Sequence, residues 1–388
     1  MKVFVIGGGA SGMAAAITSS RCGNDVTIIE KNNNLGKKIL LTGNGRCNYF
    51  NADMDLSNFH SNGDVSKFIN EKNIDKLTKF YDSLGIIPRI KDGYYYPYSN
   101  TATAIHSSLL KEIENLGIKI INEELIDLKK ENKFIIVTNV NSYECDKVIL
   151  STGGITYSKT GSNGFGYDIL RKMGHNLVEP KAALVPLKSS GKLDWAGIRC
   201  NVKAELYVDN KLVSEESGEA QLTEYGISGI CIMNLSRYID ENLKNKLVIN
   251  FVPDITNLYE FIDSRNNKLK NRTIIELLEM LVNYKLLYYI FKKCHLNPNI
   301  KWNELTDKEI LINNLTKYEL DIIDIKGSDF GETTKGGVLL DELSDNCESK
   351  LINGLYITGE LIDIDGRCGG YNLVNAFVTG ILAGEAND

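Results

Sequence analysis

The hydrophobic pattern of the first thirty residues predicts a strand, a tight turn, a helix and a second strand. Residues Lys2 to Gly7, KVFVIG, form a short apolar run rich in β-branched side chains, which is typical of a buried strand. The next segment, GGGASGMAAAITSSRCG, contains helix-forming alanines and closes at Gly23. The run DVTIIEK then predicts a second strand that ends at Glu30.

Farther along, the pattern changes twice and divides the chain. Helical patterns cover residues 64–85 and 101–117, and paired strands are predicted over 118–151. Residues 198–215 alternate like a hairpin with a turn at Asp209–Asn210. Residues 257–296 read as successive helices, and GGVLLDEL returns the chain to the first domain. We therefore expect an α/β protein with a discontinuous Rossmann-like domain (1–187 and 335–388), a β-rich insertion domain (188–254 and 316–334) and a small helical subdomain (255–315).

The glycine-rich turn after the first strand points to a dinucleotide. Gly7, Gly9 and Gly12 fill the pattern G-x-G-x-x-G, which supplies a tight turn, close backbone approach to a pyrophosphate and close packing of helix on strand. Glu30 lies 18 residues beyond Gly12, where a carboxylate can bind ribose hydroxyls. An acid rather than an arginine at position 30 argues against a 2′-phosphate, so the predicted ligand is FAD or NAD.

Composition and charge narrow the class of protein. Of the 388 residues, 43% are hydrophobic and 24% are charged, and the net charge of -6 gives no global attraction to nucleic acid or anionic lipid. The eight cysteines and four histidines show no metal-ligand spacing, so we predict no metal and reduced thiols. We find no export signal and no apolar run of 18 residues, and we therefore expect a cytoplasmic protein without a membrane segment.

Two later segments favour FAD over NAD. An NAD dehydrogenase usually continues with further βα units, whereas this chain enters the glycine- and lysine-rich connection KNNNLGKKILLTGNGRCNYFN. Near the other end, GLYITGELIDIDGRCGGYNLVNAFVTGILAGEA combines a buried-type strand, a carboxylate and a glycine-opened apolar helix. The N-terminus of such a helix can stabilise negative charge on a reduced flavin ring.

These segments and four others occur in the order found in one flavoprotein family. The four others are VILSTGGITYSKTGSNGFGYDILRKMGH, ALVPL, GEAQLTEYGISG and ETTKGGV. The chain resembles the BaiN/YhiN-type family of FAD-dependent oxidoreductases, distant relatives of the glutathione-reductase and fumarate-reductase flavoproteins. The resemblance spans nearly the whole chain. It implies that the discontinuous Rossmann-like domain binds FAD.

The resemblance also implies which residues contact FAD. Carried over position by position, these are Gly7, Gly9, Ser11, Gly12, Glu30, Lys31, Gly45, Arg46, Cys47, Asn48, Thr152, Gly153, Gly359, Glu360, Gly370, Tyr371 and Asn372, with adenine held by backbone near Leu125. One departure concerns Cys368, where the family commonly has threonine. A thiol is therefore expected close to the flavin.

Three residues are candidates for catalysis: Arg46, Cys47 and Cys368. Cys47 is either a charge-transfer thiolate beside the flavin or a small polarizable residue that packs near the ring. No resolving cysteine lies between Cys47 and Cys145, so a dithiol relay would have to recruit Cys368 through space. Arg46 keeps its charge at any pH and is suited to neutralise reduced flavin, a phosphate or an anionic substrate, with a surface ion pair as the alternative.

Two segments carry candidate substrate contacts. The tyrosines of DGYYYPYS either stack on a planar substrate or form a half-buried strand. Between Arg265 and Lys293, seven basic residues stand against two acidic ones, with tyrosines interleaved. This run is either a solvated helix face or an RNA-contacting surface through Arg265, Lys268, Lys270 and Arg272.

We therefore expect an FAD-dependent reductase that delivers hydride from reduced flavin to an activated C=C bond, with NAD(P)H as a transient reductant. The resemblance implies two substrate classes: uridine in ribosomal RNA, reduced to dihydrouridine, and unsaturated ketones of the steroid or bile-acid kind. The alternative is an FAD-containing RNA-binding or assembly protein whose flavin is structural. No feature of the sequence assigns an oligomeric state.

Overall fold

The computed structural model describes residues 1–386, which form two compact units. Unit 1 combines residues 1–183 with residues from 331 onward, and unit 2 comprises residues 184–330. The predicted α/β class and the discontinuous Rossmann-type domain are confirmed. The finer division of the insertion into a β-rich and a helical subdomain stays a prediction.

The first segment of unit 1 contains twelve strands and five helices. The strands are β1 (Lys2–Ile6), β2 (Asp25–Ile29), β3 (Phe50–Asn51), β4 (Phe59–His60), β5 (Pro88–Lys91), β6 (Tyr94–Pro97), β7 (Lys119–Ile121), β8 (Leu125–Lys130), β9 (Phe134–Thr138), β10 (Ser142–Cys145), β11 (Lys147–Leu150) and β12 (Leu177–Ala183). The helices are α1 (Ala10–Arg21), α2 (Thr42–Gly45), α3 (Glu71–Ser83), α4 (Ala102–Asn115) and α5 (Phe165–Lys172).

Unit 2 is built on a closed barrel of six strands. These are β13 (Leu187–Ser189), β14 (Arg199–Val208), β15 (Lys211–Thr223), β16 (Gly226–Ser228), β17 (Asn245–Asn250) and β18 (Tyr318–Ile325). Its helices are α6 (Ile230–Ser236), α7 (Leu258–Lys268), α8 (Ile274–Leu278), α9 (Tyr284–Lys293) and α10 (Lys308–Thr316). The predicted hairpin is β14–β15, and its turn residues Asp209 and Asn210 have the positive φ angles that such a turn requires.

The chain returns to unit 1 with three strands and one helix. These are β19 (Thr333–Val338), β20 (Leu355–Ile357), β21 (Asp365–Gly366) and α11 (Tyr371–Glu385). β20 pairs with β11, so the last part of the chain completes the main sheet.

The main sheet of unit 1 is parallel, with the order β20-β11-β1-β2-β7. Val3 to Ile6 of β1 are all buried, as expected for a strand covered on both faces. Helix α11 packs on α1 so closely that a Cβ atom at Gly380 would lie 2.3 Å from the Ser11 carbonyl oxygen. The sheet therefore holds segments from both ends of unit 1 in one core.

Candidate functional site

A groove runs along the carboxyl ends of the parallel strands of unit 1. The turns that line it follow β1 (Gly7 to Ser11), β2 (Glu30), β11 (Ser151 to Gly153) and β20 (Gly359). This edge is where open α/β sheets bind ligands. Of the predicted cofactor contacts, the groove brings together Gly7, Gly9, Ser11, Glu30, Lys31, Leu125, Thr152, Gly153, Gly359, Glu360 and Asn372.

The three glycines of the first turn serve different purposes. Gly7 has φ +99°, and a Cβ there would lie 2.4 Å from the Ser151 carbonyl oxygen. A Cβ at Gly12 would lie 1.9 Å from the Gly7 carbonyl oxygen, so Gly12 allows α1 to start close to β1. A Cβ at Gly9 would meet no protein atom within 4 Å, so Gly9 faces open space in the groove.

Glu30 is buried and held in one orientation by three hydrogen bonds. Its Oε2 accepts from the Gly8 N–H at 2.8 Å, and its Oε1 accepts from the backbone N–H and the side-chain amide of Asn32 at 2.8 and 2.7 Å. Nearby, Lys31 pairs with Glu124 at 3.6 Å, next to Leu125. This end of the groove therefore offers a fixed carboxylate to ribose hydroxyls and an apolar residue beside it.

At the other end, Lys38 links two segments of unit 1. Its Nζ donates to Glu360 Oε1 at 2.6 Å and to Thr156 Oγ1 at 2.8 Å. The Glu360 backbone is fixed in turn, because its carbonyl accepts from the Tyr167 hydroxyl at 2.5 Å. Lys38 was not among the predicted contacts, although its position in KKILLTGNGRCN placed a cation in the glycine-rich connection.

The residues of the groove fit a bound flavin dinucleotide. Within residues 1–386, Thr152 Oγ1 and Glu360 Oε2 are buried without a hydrogen-bond partner, Thr152 Oγ1 against Gly166 and Glu360 Oε2 against Gly154, while other atoms of both residues line the groove. The N-terminus of α1, capped by Gly9 without a side-chain hydrogen bond, offers N–H groups to a phosphate. A ligand with phosphates and hydroxyls suits these N–H groups and the oriented carboxylate of Glu30.

The loop TGNGRCNYF lies beside the residues that line the groove. Cys47 is fully buried with φ +57°, and burial raises its thiol pKa to about 11, despite a hydrogen bond with Thr42 that lowers it. Arg46 is exposed, with its guanidinium 5.1 Å from the Tyr96 ring centroid, and its Nε donates to the Gly43 carbonyl at 3.1 Å. The Asn48 amide lies against the carbonyls of Phe50 and Tyr95. Only Thr42 of this loop lines the groove, so flavin contacts by Gly45, Arg46, Cys47 and Asn48 stay predictions.

The second predicted segment, GRCGGYN, reaches the groove through Asn372. The Asn372 Oδ1 accepts from the Gly366 N–H at 2.8 Å and from the Thr333 hydroxyl at 3.1 Å. Gly370 precedes α11 with φ +96°, and a Cβ there would lie 2.9 Å from backbone atoms of Phe50. Tyr371 is buried against Phe59, with ring centroids 5.3 Å apart. Gly370 and Tyr371 therefore set the start of the helix, and their contact with FAD stays a prediction.

Cys368 faces a carboxyl group that sequence reasoning missed. Its Sγ lies 3.9 Å from Oε2 of Glu332, which lines the groove. Glu332 is exposed to the groove, yet surrounding protein atoms desolvate its carboxyl and raise its pKa, against smaller lowering effects from Lys38 and Cys368. The segment ETTKGGV contained this residue without marking it, because a single glutamate has no motif of its own. No disulfide bond is present within residues 1–386.

The basic helical run of unit 2 is partly engaged in contacts of its own. Arg265 donates from Nε to the Leu277 carbonyl at 3.2 Å, and Arg272 pairs with Glu276 at 3.3 Å. Lys268 and Lys270 are exposed. RNA contact through these four residues stays a prediction.

No helix within residues 1–386 is long and apolar enough to cross a bilayer. In the same range, no three His, Cys, Asp or Glu side chains are grouped as a metal ion would require.

Comparisons with known proteins agree with this geometry. The family model described as HI0933-like protein Rossmann domain matches residues 1–386. A 3-dehydro-bile acid delta(4,6)-reductase of Clostridium scindens is 35% identical over 405 residues, which cover 99% of this chain and 98% of the relative. A ribosomal RNA dihydrouridine synthase of Escherichia coli is 28% identical over 385 residues, covering 95% and 93% of the two chains.

Among solved structures, the fold is similar to a 3-ketosteroid-delta4-(5alpha)-dehydrogenase from Rhodococcus jostii RHA1 in complex with 4-androstene-3,17-dione. The TM-score is 0.50 at 15% identity, with 99% of this chain and 95% of that chain covered. At this identity the similarity shows the fold.

Proposed function

Because the chain belongs to the HI0933-like Rossmann family and is an FAD-dependent oxidoreductase, we propose that it reduces a C=C bond conjugated to a carbonyl group. The proposed acceptor is uridine in ribosomal RNA or an unsaturated ketone of the steroid or bile-acid kind. Both classes present the same polarised double bond. The two full-length relatives named for these substrates support this pair of classes.

The observation that carries the proposal is the groove of unit 1, which fits FAD and ends beside a titratable carboxyl group. Bound FAD supplies hydride from its reduced ring. Of the chain's own residues, Gly7 to Ser11 would hold the pyrophosphate and Glu30 a ribose, and Thr152 and Glu360, which line the groove, would contact the cofactor.

We assign the proton of the reaction to Glu332. Its carboxyl opens onto the groove, and the raised pKa keeps it protonated to a higher pH than an ordinary glutamate. Lys38 is paired with Glu360 in the same groove, and its positive charge favours negative charge on nearby ligand atoms. These groups would orient the acceptor and supply the proton while the cofactor supplies the hydride.

The proposed electron donor is NADH or NADPH, bound transiently. The proposed location is the cytoplasm, because thiols without a disulfide bond in residues 1–386 suit a reducing compartment.

Anaerobic spectroscopy of the FAD-loaded protein tests the function. The flavin is reduced with NADH or NADPH, and an unmodified ribosomal RNA transcript or a 3-keto-4-ene steroid is then added. We expect one class of acceptor to reoxidise the flavin faster than buffer does. A reduced flavin that neither acceptor reoxidises contradicts the reductase function and supports the alternative of a structural flavin in an RNA-binding or assembly protein.

Mass spectrometry of ribosomal RNA from a deletion strain separates the two substrate classes. Loss of one dihydrouridine in the deletion strain, restored by the gene, assigns the RNA substrate. Unchanged dihydrouridine content removes the RNA branch and leaves the unsaturated ketones.

A further inference from the structure

Strands β5 and β6 belong to a three-stranded antiparallel sheet of order β3-β6-β5, and one face of this pair is not part of the core of unit 1. In this antiparallel pair, Arg89 lies opposite Tyr96 and Lys91 lies opposite Tyr94, so these four side chains share a face. Tyr95 points to the other face, where its ring lies 5.1 Å from Phe50. The alternation therefore separates a structural tyrosine from two tyrosines that face outward.

Both Gly-Arg-Cys triplets of the sequence reach this outward face. The Arg46 guanidinium lies 5.1 Å from the Tyr96 ring centroid. Tyr94 packs at Gly369, where a Cβ would lie 2.9 Å from its ring. Burial raises the pKa of the Tyr94 hydroxyl, the neighbouring Tyr96 and Cys368 raise it further, and Arg367 lowers it. We call Arg46, Arg89, Lys91, Tyr94, Tyr96 and Arg367 the tyrosine face.

The tyrosine face is positively charged in a chain of net charge -6. Its four cationic residues surround two aromatic rings, and Arg89 and Lys91 are exposed. The acidic groups nearby are Asp92, in the turn between the strands, Glu332, beside Cys368, and Asp53, which accepts from the Asn58 amide at 3.0 Å. The balance favours an anionic ligand that also offers flat apolar surface.

This face is continuous with the groove. The Gly369 carbonyl accepts from the Asn51 amide at 3.0 Å, and Asn51 pairs with Tyr94 in the sheet. Three residues beyond Gly369, Asn372 lines the groove, and Cys368 contacts Glu332, which lines it as well. A ligand on the tyrosine face therefore lies next to the end of the groove that holds Glu332.

We propose that the tyrosine face binds single-stranded RNA beside the uridine that the enzyme reduces, an inference that rests on the proposed reductase function. Tyr94 and Tyr96 are two residues apart on a strand, about 6.8 Å, a spacing that suits two unstacked bases, each on its own ring. Four cationic residues suit a run of phosphates better than the single carboxylate of an acidic steroid. A base that is reduced must leave its stack, and neighbours held on the two rings keep it out.

The test measures how a fluorescein-labelled, uridine-containing RNA of about 12 nucleotides binds to the FAD-loaded protein. Fluorescence anisotropy follows the binding at several salt concentrations. We expect Tyr96→Ala and Tyr94→Ala to weaken binding by at least fivefold, and Tyr96→Phe to retain it. The double change Arg89→Gln and Lys91→Gln should lower the slope of log K against log salt by about 1.4, because each lost phosphate contact on a single strand removes about 0.7.

Two control variants match these changes. Tyr98→Ala removes a tyrosine that is 70% exposed in the same segment, and Lys119→Gln removes one charge from β7, the edge strand of the main sheet. Both should bind RNA as the wild type does. FAD content and thermal unfolding report on folding, and the exposed pair Arg89 and Lys91 gives a result even if a tyrosine variant fails to fold.

The outcomes separate the face from the function. One outcome is that RNA reoxidises the flavin but binds all variants of the tyrosine face with unchanged affinity and salt slope. This result contradicts the RNA-binding role of the tyrosine face and leaves the reductase function supported. Face-dependent RNA binding without reoxidation by any acceptor supports the face and contradicts the function. Binding of 3-oxochol-4-en-24-oic acid that requires Arg46 or Arg89, with no RNA binding, overturns the RNA assignment in favour of an acidic steroid.

Discussion

The two Gly-Arg-Cys triplets, residues 45–47 and 366–368, place the same side chains in opposite environments. In the first, Gly45 is exposed and Cys47 is fully buried. In the second, Gly366 is buried and Cys368 is partly exposed, with its sulfur 3.9 Å from the Glu332 carboxyl. The difference arises from the chain that follows, because the first triplet ends a left-handed turn and the second leads from strand β21 into helix α11.

The two triplets therefore differ in which member is accessible, the arginine in the first and the cysteine in the second. Burial raises the pKa of the Cys47 thiol to about 11, which favours the packing role over a thiolate at neutral pH. The arginine of the first triplet and the cysteine of the second are the members that ligands and titratable groups can reach. Four experiments bear on this contrast.

The rate of thiol alkylation should show the largest difference between Cys47 and Cys368. At pH 8 a thiol with a pKa of about 11 is thiolate about one time in a thousand, so Cys47 should react at least about 100-fold more slowly than an exposed thiol of ordinary pKa. We expect peptide mapping after iodoacetamide treatment to find Cys368 labelled and Cys47 protected. Exposed Cys22 is the positive control, and labelling of Cys47 at the rate of Cys22 would contradict the assignment.

Replacing Gly366 or Gly45 by alanine should destabilise the protein at both positions, but for different physical reasons. At Gly366 a Cβ would lie 2.4 Å from the Tyr371 Cβ, so Gly366→Ala should cost about 1–3 kcal/mol by overpacking and reduce FAD retention. At Gly45 a Cβ has room, but φ is +79°, so Gly45→Ala should cost about 1–2 kcal/mol through backbone strain.

Asparagine separates these causes, because it tolerates left-handed backbone but is larger than alanine. Gly45→Asn should recover most of the loss in thermal unfolding, and Gly366→Asn should recover none. Equal recovery at both positions would show that the triplets are not packed as described.

Replacing each cysteine by serine should give a smaller difference between the two triplets in the free energy of unfolding. Cys47→Ser places a hydroxyl in a fully buried position, and we expect a loss of about 1–2 kcal/mol in the free energy of unfolding, limited by the hydrogen bond with Thr42. Cys368→Ser should change it by less than about 0.5 kcal/mol. Denaturant unfolding measures both, and turnover by Cys47→Ser at the wild-type rate would exclude a redox role for that residue.

The smallest expected effect is a pH dependence at Glu332. Its raised pKa means that the folded protein binds this proton more tightly than the unfolded chain does. The contribution of this group to the free energy of unfolding is therefore fully present below the ordinary glutamate pKa. It is lost as pH rises through the raised pKa. Glu332→Gln should flatten that fall in thermal unfolding, while Glu131→Gln, at an exposed turn, should leave it unchanged. An unaltered pH profile in Glu332→Gln would argue against the assignment of the proton donor.

Sequence patterns were sufficient for the elements that local periodicity and glycine chemistry determine. The strand, turn and helix around Gly7 to Gly12 and the hairpin at Asp209–Asn210 were predicted because each depends on neighbouring residues. Lys38 and Glu332 were missed because their roles depend on contacts with Glu360 and Cys368, 322 and 36 residues away. The outward face of β6 also required strand register, which alternating tyrosines alone do not fix.

The discontinuity of unit 1 has a consequence for synthesis on the ribosome. The ribosome translates the last part of unit 1 only after the whole of unit 2. That part contains strand β20, helix α11 and the groove residues Glu332, Glu360 and Asn372. At about 5–20 residues per second, the nascent chain exposes the strand β11 edge for roughly ten to forty seconds before its partner emerges. Cofactor capture is therefore a late event in the life of each molecule, and the growing polypeptide depends on chaperones or on early folding of the barrel to keep that edge from pairing wrongly.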